Sequence, residues 1–139
     1  ASDDEGMDEI AVAMEKTDRG LIFANLVDFD TQFGHRNIVA GYAENLEKFD
    51  LRLVHLLPNL CPGDLLIVTA DHGNDPTTPS TDHSREYVPL MIAGEKVKKG
   101  VDVGTRETFA DLGQTIAELF GLKLQSGTSF LKDILDVEH

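Results

Sequence analysis

The chain has 139 residues, with 12 Lys and Arg against 25 Asp and Glu, and a formal net charge of −13 at pH 7. This excess of negative charge argues against unaided binding to nucleic acid or to an anionic membrane surface. No apolar run approaches the roughly 18 residues that a membrane-spanning helix needs, which excludes a transmembrane helix. From the chain length we expect one globular domain.

The first ten residues, ASDDEGMDEI, lack the basic and apolar regions of a secretory signal peptide. The single cysteine, Cys61, cannot form an internal disulfide and has no nearby His or basic residue to activate it. We therefore expect a cytoplasmic protein in which Cys61 is an ordinary thiol.

Residues 1–19 predict an acidic helical segment. Apolar side chains recur at helical spacing at Met7, Ile10, Ala11 and Met14, between acidic residues. We expect these acidic residues to form a solvated face rather than a cation site.

Three compact apolar runs, at residues 21–27, 65–70 and 87–93, predict buried strands. Pro89 indicates an edge position or an irregular start for the third strand.

Apolar residues at steps of three and four predict a long amphipathic helix at residues 38–57, with Asn37 as its N-cap. A second helix begins near Thr108, where Thr108 and Asp111 resemble a capping box, and ends at Gly121. A final short helix is expected at residues 129–135. Alternating strands and helices predict the α/β class, with a mostly parallel sheet flanked by helices.

Ligands of such sheets bind beyond the carboxyl ends of the strands, and Asp and His are concentrated in the loops that follow two of the predicted strands. Three of the five histidines lie there, each close to an aspartate. Carboxylate and imidazole ligands suit manganese, zinc or iron better than calcium, and the lack of cysteine argues against a structural zinc site. We therefore predict a metal site, with candidate ligands Asp30, His35, Asp71, His72 and His83.

Some neighbouring residues leave alternatives open. Asp28 would face the same side of a strand as Asp30 and competes with it as a ligand, or it could serve as a supporting or structural group. Asp82, next to His83, has the same two possible roles. Arg36 and Arg85 could bind a phosphate or could pair with neighbouring acids. His55 and His139 are expected to be structural or incidental.

The segments NLVDFDTQFGHR, TADHGNDPTTPSTDHSREYVPLMIAG and GTSFLKDIL resemble the carboxyl-terminal part of phosphopentomutases, members of the alkaline phosphatase superfamily. The resemblance covers about residues 20–135. Cofactor-independent phosphoglycerate mutases share D-H-G-N but have one residue fewer between the first Asp and His, so the spacing favours the pentomutases.

This resemblance implies two divalent metal ions, usually manganese, at the edge of an alkaline phosphatase-like core. Asp30, His35 and His83 would hold one ion, and Asp71 and His72 would contribute to the other. The phosphorylated Thr nucleophile of the family has no counterpart here, so no catalytic residue is assigned and the 139 residues alone are expected to be inactive.

Residues 1–19 would then be the return from a missing cap domain, and residues 20–139 the carboxyl-terminal part of the core. The whole enzyme would interconvert (deoxy)ribose 1-phosphate and (deoxy)ribose 5-phosphate. Its expected partners are the pentose phosphate, a sugar bisphosphate activator and the missing amino-terminal part, with no nucleic acid or membrane. The alternatives are another mutase or phosphatase of the superfamily, such as a phosphoglycerate mutase, and a non-catalytic metal-binding domain.

Overall fold

A computed structural model describes residues 2–136. His139 and the last residues of the predicted core segment lie outside these described residues. The chain divides into two compact units, residues 1–61 with 67–91 and residues 62–66 with 92–139. The elements combine helices with a small sheet, as expected for part of an α/β domain. None of the helices in residues 2–136 combines the length and apolar character needed to span a bilayer.

Helix α1 spans Asp3–Lys16 and confirms the predicted acidic helix. It begins with a capping box, in which the backbone N–H of Glu5 donates to Ser2 Oγ and the backbone N–H of Ser2 donates to Glu5 Oε2. The acidic face is only partly solvated, because Asp4 and Asp8 form ion pairs with Arg52 of helix α2.

The strand predicted at residues 21–27 is wrong. This segment is irregular, and most of its large apolar side chains are exposed, with Leu21 at 60% and Phe23 at 85%. A strand needs a neighbour to accept and donate its ladder hydrogen bonds, and the only sheet among residues 2–136 pairs two other segments.

A single π-helical turn, Phe29–Gly34, follows this irregular segment. Helix α2 then spans Val39–Leu56 and continues into a 3₁₀ turn at Leu57–Asn59. The predicted helix is confirmed, but its predicted N-cap is not: Ile38 holds the N-cap position and makes no side-chain cap hydrogen bond. Asn37 instead has a backbone φ of 51° and directs its side chain elsewhere.

The sheet has two strands, β1 at Leu66–Thr69 and β2 at Leu90–Ala93. Both confirm predicted strands with shorter bounds. Strand β2 begins only after Pro89, as the missing N–H of proline favours, and the Pro89 carbonyl accepts a hydrogen bond from Thr69 Oγ1 at 2.9 Å.

Helix α3 spans Ala110–Leu119, and helix α4 spans Leu131–Ile134. Gly121 has a φ of 71°, which confirms the left-handed residue predicted after α3. The predicted capping box between Thr108 and Asp111 is wrong, because Asp111 is buried at 5% exposure and accepts hydrogen bonds from Thr128 N and Arg106 Nε. The Asp111 carboxylate therefore binds Thr128 and Arg106, while Thr108 Oγ1 accepts a hydrogen bond from Ala110 N at 3.2 Å.

Candidate metal centre

The π-helical turn places two of the predicted ligands together. In an α-helix, two side chains five residues apart, as Asp30 and His35 are, would point about 140° apart around the helix axis. Here the backbone N–H of His35 donates to the Asp30 carbonyl at 3.0 Å, the i to i+5 pattern of a π-turn. His35 Nε2 consequently lies 3.2 Å from Asp30 Oδ2.

An aromatic cluster anchors this turn on helix α2. The ring of Phe29 packs edge-on against Tyr42 at a centroid distance of 5.3 Å and against Phe49 at 6.3 Å. Burial, and secondarily the negative charge of Asp30, raises the pKa of Tyr42 above its usual value of 10. Asp30 thus lies at the border between this cluster and the polar site.

The other two histidines come from loops joined by a short antiparallel bridge. Ser84 N donates to the Gly73 carbonyl at 3.2 Å, which holds the loop after β1 against the loop that leads to β2. The rings of His72 and His83 stack with a centroid distance of 3.5 Å and an interplanar angle of 13°.

Three histidines therefore converge on one carboxylate. His83 Nε2 lies 3.2 Å from Asp30 Oδ1, and His72 Nε2 lies 4.0 Å from the same oxygen. The ligand atoms of Asp30, His72 and His83 all lie within 4.8 Å of one another. Asp71, at 75% side-chain exposure, has its Oδ1 at 3.6 Å from His72 Nε2. All five predicted site residues are thus brought together.

The donor set fits a divalent cation. Asp30 Oδ1 is buried and accepts no hydrogen bond among the described residues, and a buried unpaired oxygen is energetically unfavourable. His35 Nδ1 lies 2.7 Å from the Thr81 carbonyl and His72 Nδ1 lies 3.1 Å from the Gly73 carbonyl. A carbonyl only accepts, so both Nδ1 atoms carry hydrogen, which leaves Nε2 as the nitrogen of each ring that can bind a metal ion.

The alternatives left open by the sequence are placed differently. Asp28 accepts a hydrogen bond from Asp3 N at 2.9 Å while its own N–H donates to Asp3 Oδ1 at 3.0 Å, so it ties α1 to the turn rather than joining the cluster. Asp82 contributes a backbone N–H to Ser80 Oγ at 3.1 Å. His55 lies within helix α2, where its carbonyl accepts from Asn59.

Sequence reasoning missed the groups that orient the ligands. These are the carbonyls of Gly73 and Thr81 and the side chain of Asn37, which donates hydrogen bonds to the loop that carries His83. Every residue has a backbone carbonyl, so the sequence alone does not show which carbonyls orient a ligand. Asn37 was identified in the sequence, but it was interpreted as the N-cap of the following helix.

Comparison with known proteins places this chain in a family. Residues 1–124 match the model of the Metalloenzyme superfamily. The chain is 58% identical over 133 residues to a phosphopentomutase of Kosmotoga olearia, covering 95% of this chain and 34% of that relative.

Two further curated relatives show the same pattern. The phosphopentomutase of Thermotoga petrophila is 59% identical over 128 residues, covering 91% of this chain and 33% of the relative. That of Clostridioides difficile is 49% identical over 131 residues, covering 94% and 34%. The chain thus spans about a third of the length of these relatives.

The resemblance to phosphopentomutases predicted from the sequence is confirmed, as is the alkaline phosphatase-like fold class. The chain belongs to the Metalloenzyme superfamily, and this membership implies that it binds divalent metal ions.

Proposed function

We propose that these residues form the carboxyl-terminal metal-binding part of a phosphopentomutase, which interconverts (deoxy)ribose 1-phosphate and (deoxy)ribose 5-phosphate. The observation that carries this proposal is the 58% identity to a curated phosphopentomutase over nearly the whole chain. The convergence of three histidines on Asp30 supplies the chemistry that such an assignment requires.

In this proposal, the five candidate ligands help to hold two divalent ions, which we propose to be manganese. Asp30, His35 and His83 hold one ion, and Asp71 and His72 contribute to the other. When bound, such a pair neutralises charge on a transferring phosphoryl group and activates the attacking oxygen.

The chain's own residues supply position and charge. The Phe29 ring and the π-turn fix the Asp30 carboxylate, and the carbonyls of Gly73 and Thr81 hold two imidazoles with Nε2 directed toward it. Such preorganisation reduces the reorganisation needed when charge develops. The side chain of Asp71 is exposed, so in this proposal the substrate approaches from that side.

The phosphorylated Thr, a sugar bisphosphate activator and further ligands of the second ion would come from outside these 139 residues. Residues 1–19 would be the return from a cap domain, and residues 20–139 would belong to the core. The cytoplasm is the proposed compartment, supported by the single cysteine.

The test is conversion of ribose 1-phosphate to ribose 5-phosphate by the whole protein, with manganese and a sugar bisphosphate. We expect conversion by the wild type, its loss in Asp30→Asn and its retention in His55→Ala. Phosphate release or phosphoglycerate isomerisation without pentose phosphate conversion would contradict the proposed substrate and favour another enzyme of the superfamily.

A further inference from the structure

Asn37 stands out because it is the only non-glycine residue among those described with a positive φ, at 51°. Asn adopts this left-handed conformation more readily than other side chains that carry a Cβ. The conformation ends the turn that carries Asp30 and His35, and the Asn37 backbone N–H donates to the Gly34 carbonyl at 3.0 Å.

The side chain of Asn37 crosses to a different loop. Its Nδ2 donates to the carbonyls of Thr78 and Ser80, each at 3.1 Å. Two carbonyls on one atom fix which end of the amide is nitrogen, because the oxygen could only repel them. Both N–H groups of the amide are therefore used on the loop that leads to His83.

His35 reaches the same loop one residue further on, through Nδ1 to the Thr81 carbonyl at 2.7 Å. Three carbonyls of residues 78–81 thus receive hydrogen bonds from residues 35–37. Together these bonds join the turn that carries Asp30 and His35 to the loop that carries His83, whose Nε2 lies 3.2 Å from Asp30 Oδ1.

We propose that Asn37 is a positioning residue that clamps these two loops and so sets the spacing of the metal ligands. The role requires two N–H donors on a short side chain at a left-handed backbone position. Asp would present oxygen to both carbonyls, and Gly would keep the backbone conformation but lose the donors. The inference rests on the proposed metal site and names a residue outside the ligand set.

The test compares Asn37→Gly with the matched control Asn59→Gly in the whole protein. Asn59 also donates from its side chain to a backbone carbonyl, that of His55 at 3.3 Å, but it does so within its own helical segment. Mn²⁺ binding is measured by calorimetric titration, and stability without metal by urea unfolding.

We expect Asn37→Gly to weaken Mn²⁺ binding by about 10- to 100-fold, the range typical of groups that orient metal ligands, with Asn59→Gly close to wild type. Asn37→Asp should weaken it at least as much. The unfolding midpoints of the two glycine variants should be similar. An Mn²⁺ affinity in Asn37→Gly within twofold of the wild type would overturn the proposal.

A second measurement separates this inference from the proposed function. In the metal-free protein, hydrogen exchange of the Thr78, Asp82 and Ser84 amides, which all donate within or next to the clamped loop, should be faster in Asn37→Gly than in Asn59→Gly. Equal exchange in the two variants would refute the clamp. A wild type that binds no Mn²⁺ would contradict the proposed metal site, and the exchange data would still decide the clamp.

Discussion

At the scale of single residues, the site depends on a glycine at a point where two segments of backbone pass close together. Gly73 follows His72, and a Cβ at this position would lie 2.5 Å from the Glu86 carbonyl oxygen and 2.8 Å from that of Ser84. Both neighbours are backbone, so neither can move without displacing the loop that follows His83. The glycine in the D-H-G-N string therefore permits the bridge that brings the two histidine rings together.

Gly73→Ala should accordingly lower the free energy of unfolding by about 1–3 kcal/mol, as expected when a well-packed site is overfilled, and it should weaken metal binding. Gly113→Ala is the matched control, because Gly113 lies within α3 and its Cβ would meet Leu124 Cδ1 at an ordinary 3.6 Å. That substitution should stabilise by about 0.5–1 kcal/mol. Urea unfolding of both variants checks the prediction, which fails if the two changes have the same sign.

At the scale of elements, a buried carboxylate ties the start of helix α3 to the segment that precedes α4. Asp111 accepts from Thr128 N at 2.8 Å and from Arg106 Nε at 3.0 Å, and Thr115 Oγ1 accepts from Phe130 N at 3.0 Å. The guanidinium of Arg106 also lies 5.2 Å from the centre of the Phe130 ring. These bonds tie α3 to the segment that leads into α4.

The pKa of Asp111 is lowered, first by its hydrogen bond from the Thr128 backbone and further by Arg106, against the opposing effect of burial. A folded-state pKa below the unfolded value means that the carboxylate contributes stability above the unfolded pKa of about 3.9. That contribution is lost as the pH falls through the lowered value.

Asp111→Asn should therefore reduce stability at pH 7, and the loss should become smaller as the pH falls below about 3.9. Asp102→Asn is the control, because Asp102 also accepts a backbone N–H, that of Gly104, but is exposed. Urea unfolding of both variants at pH 7 and pH 3 provides the measurement. A stability difference for Asp111→Asn that does not change with pH would contradict the role of the carboxylate.

Local sequence patterning predicted helices α1, α2 and α3, from their periodicity, and two of the three strands, from compact apolar runs, because those signals lie within short stretches of sequence. It failed at residues 21–27, where an apolar run was interpreted as buried although Phe23 is exposed. It also missed the π-turn, since apolar spacing does not report an i to i+5 hydrogen bond. The clustering of the five candidate ligands was predictable, whereas the groups that orient them, such as the Thr81 carbonyl, depend on contacts distant in sequence.

At the scale of the whole molecule, an apolar strip of residues 21–27 remains uncovered. Leu21, Ile22, Phe23 and Val27 are all exposed among the described residues. Apolar side chains concentrated in this way favour association, whereas single exposed ones are ordinary. Tyr87 is as exposed as Phe23, at 86%, but stands between Glu86 and the partly buried Val88.

The 139-residue chain should therefore self-associate as its concentration rises, even with its net charge of −13. Phe23→Asp should shift it toward monomer, because a charge in the strip opposes burial, and Tyr87→Asp should not. Light scattering over a concentration series makes the comparison. A wild-type chain that stays monomeric at every concentration would show that the strip does not drive association.

The central claim is that Asp30 and the histidines around it bind divalent metal ions, with Asp30, His35 and His83 holding one of them, and the most direct measurement is a titration with Mn²⁺ followed by electron paramagnetic resonance. Asp30→Asn and His83→Ala should each weaken binding by more than the about 10- to 100-fold typical of groups that only support a ligand. His55→Ala should bind as the wild type does. Equal Mn²⁺ binding by the wild type and by all three variants would contradict the account.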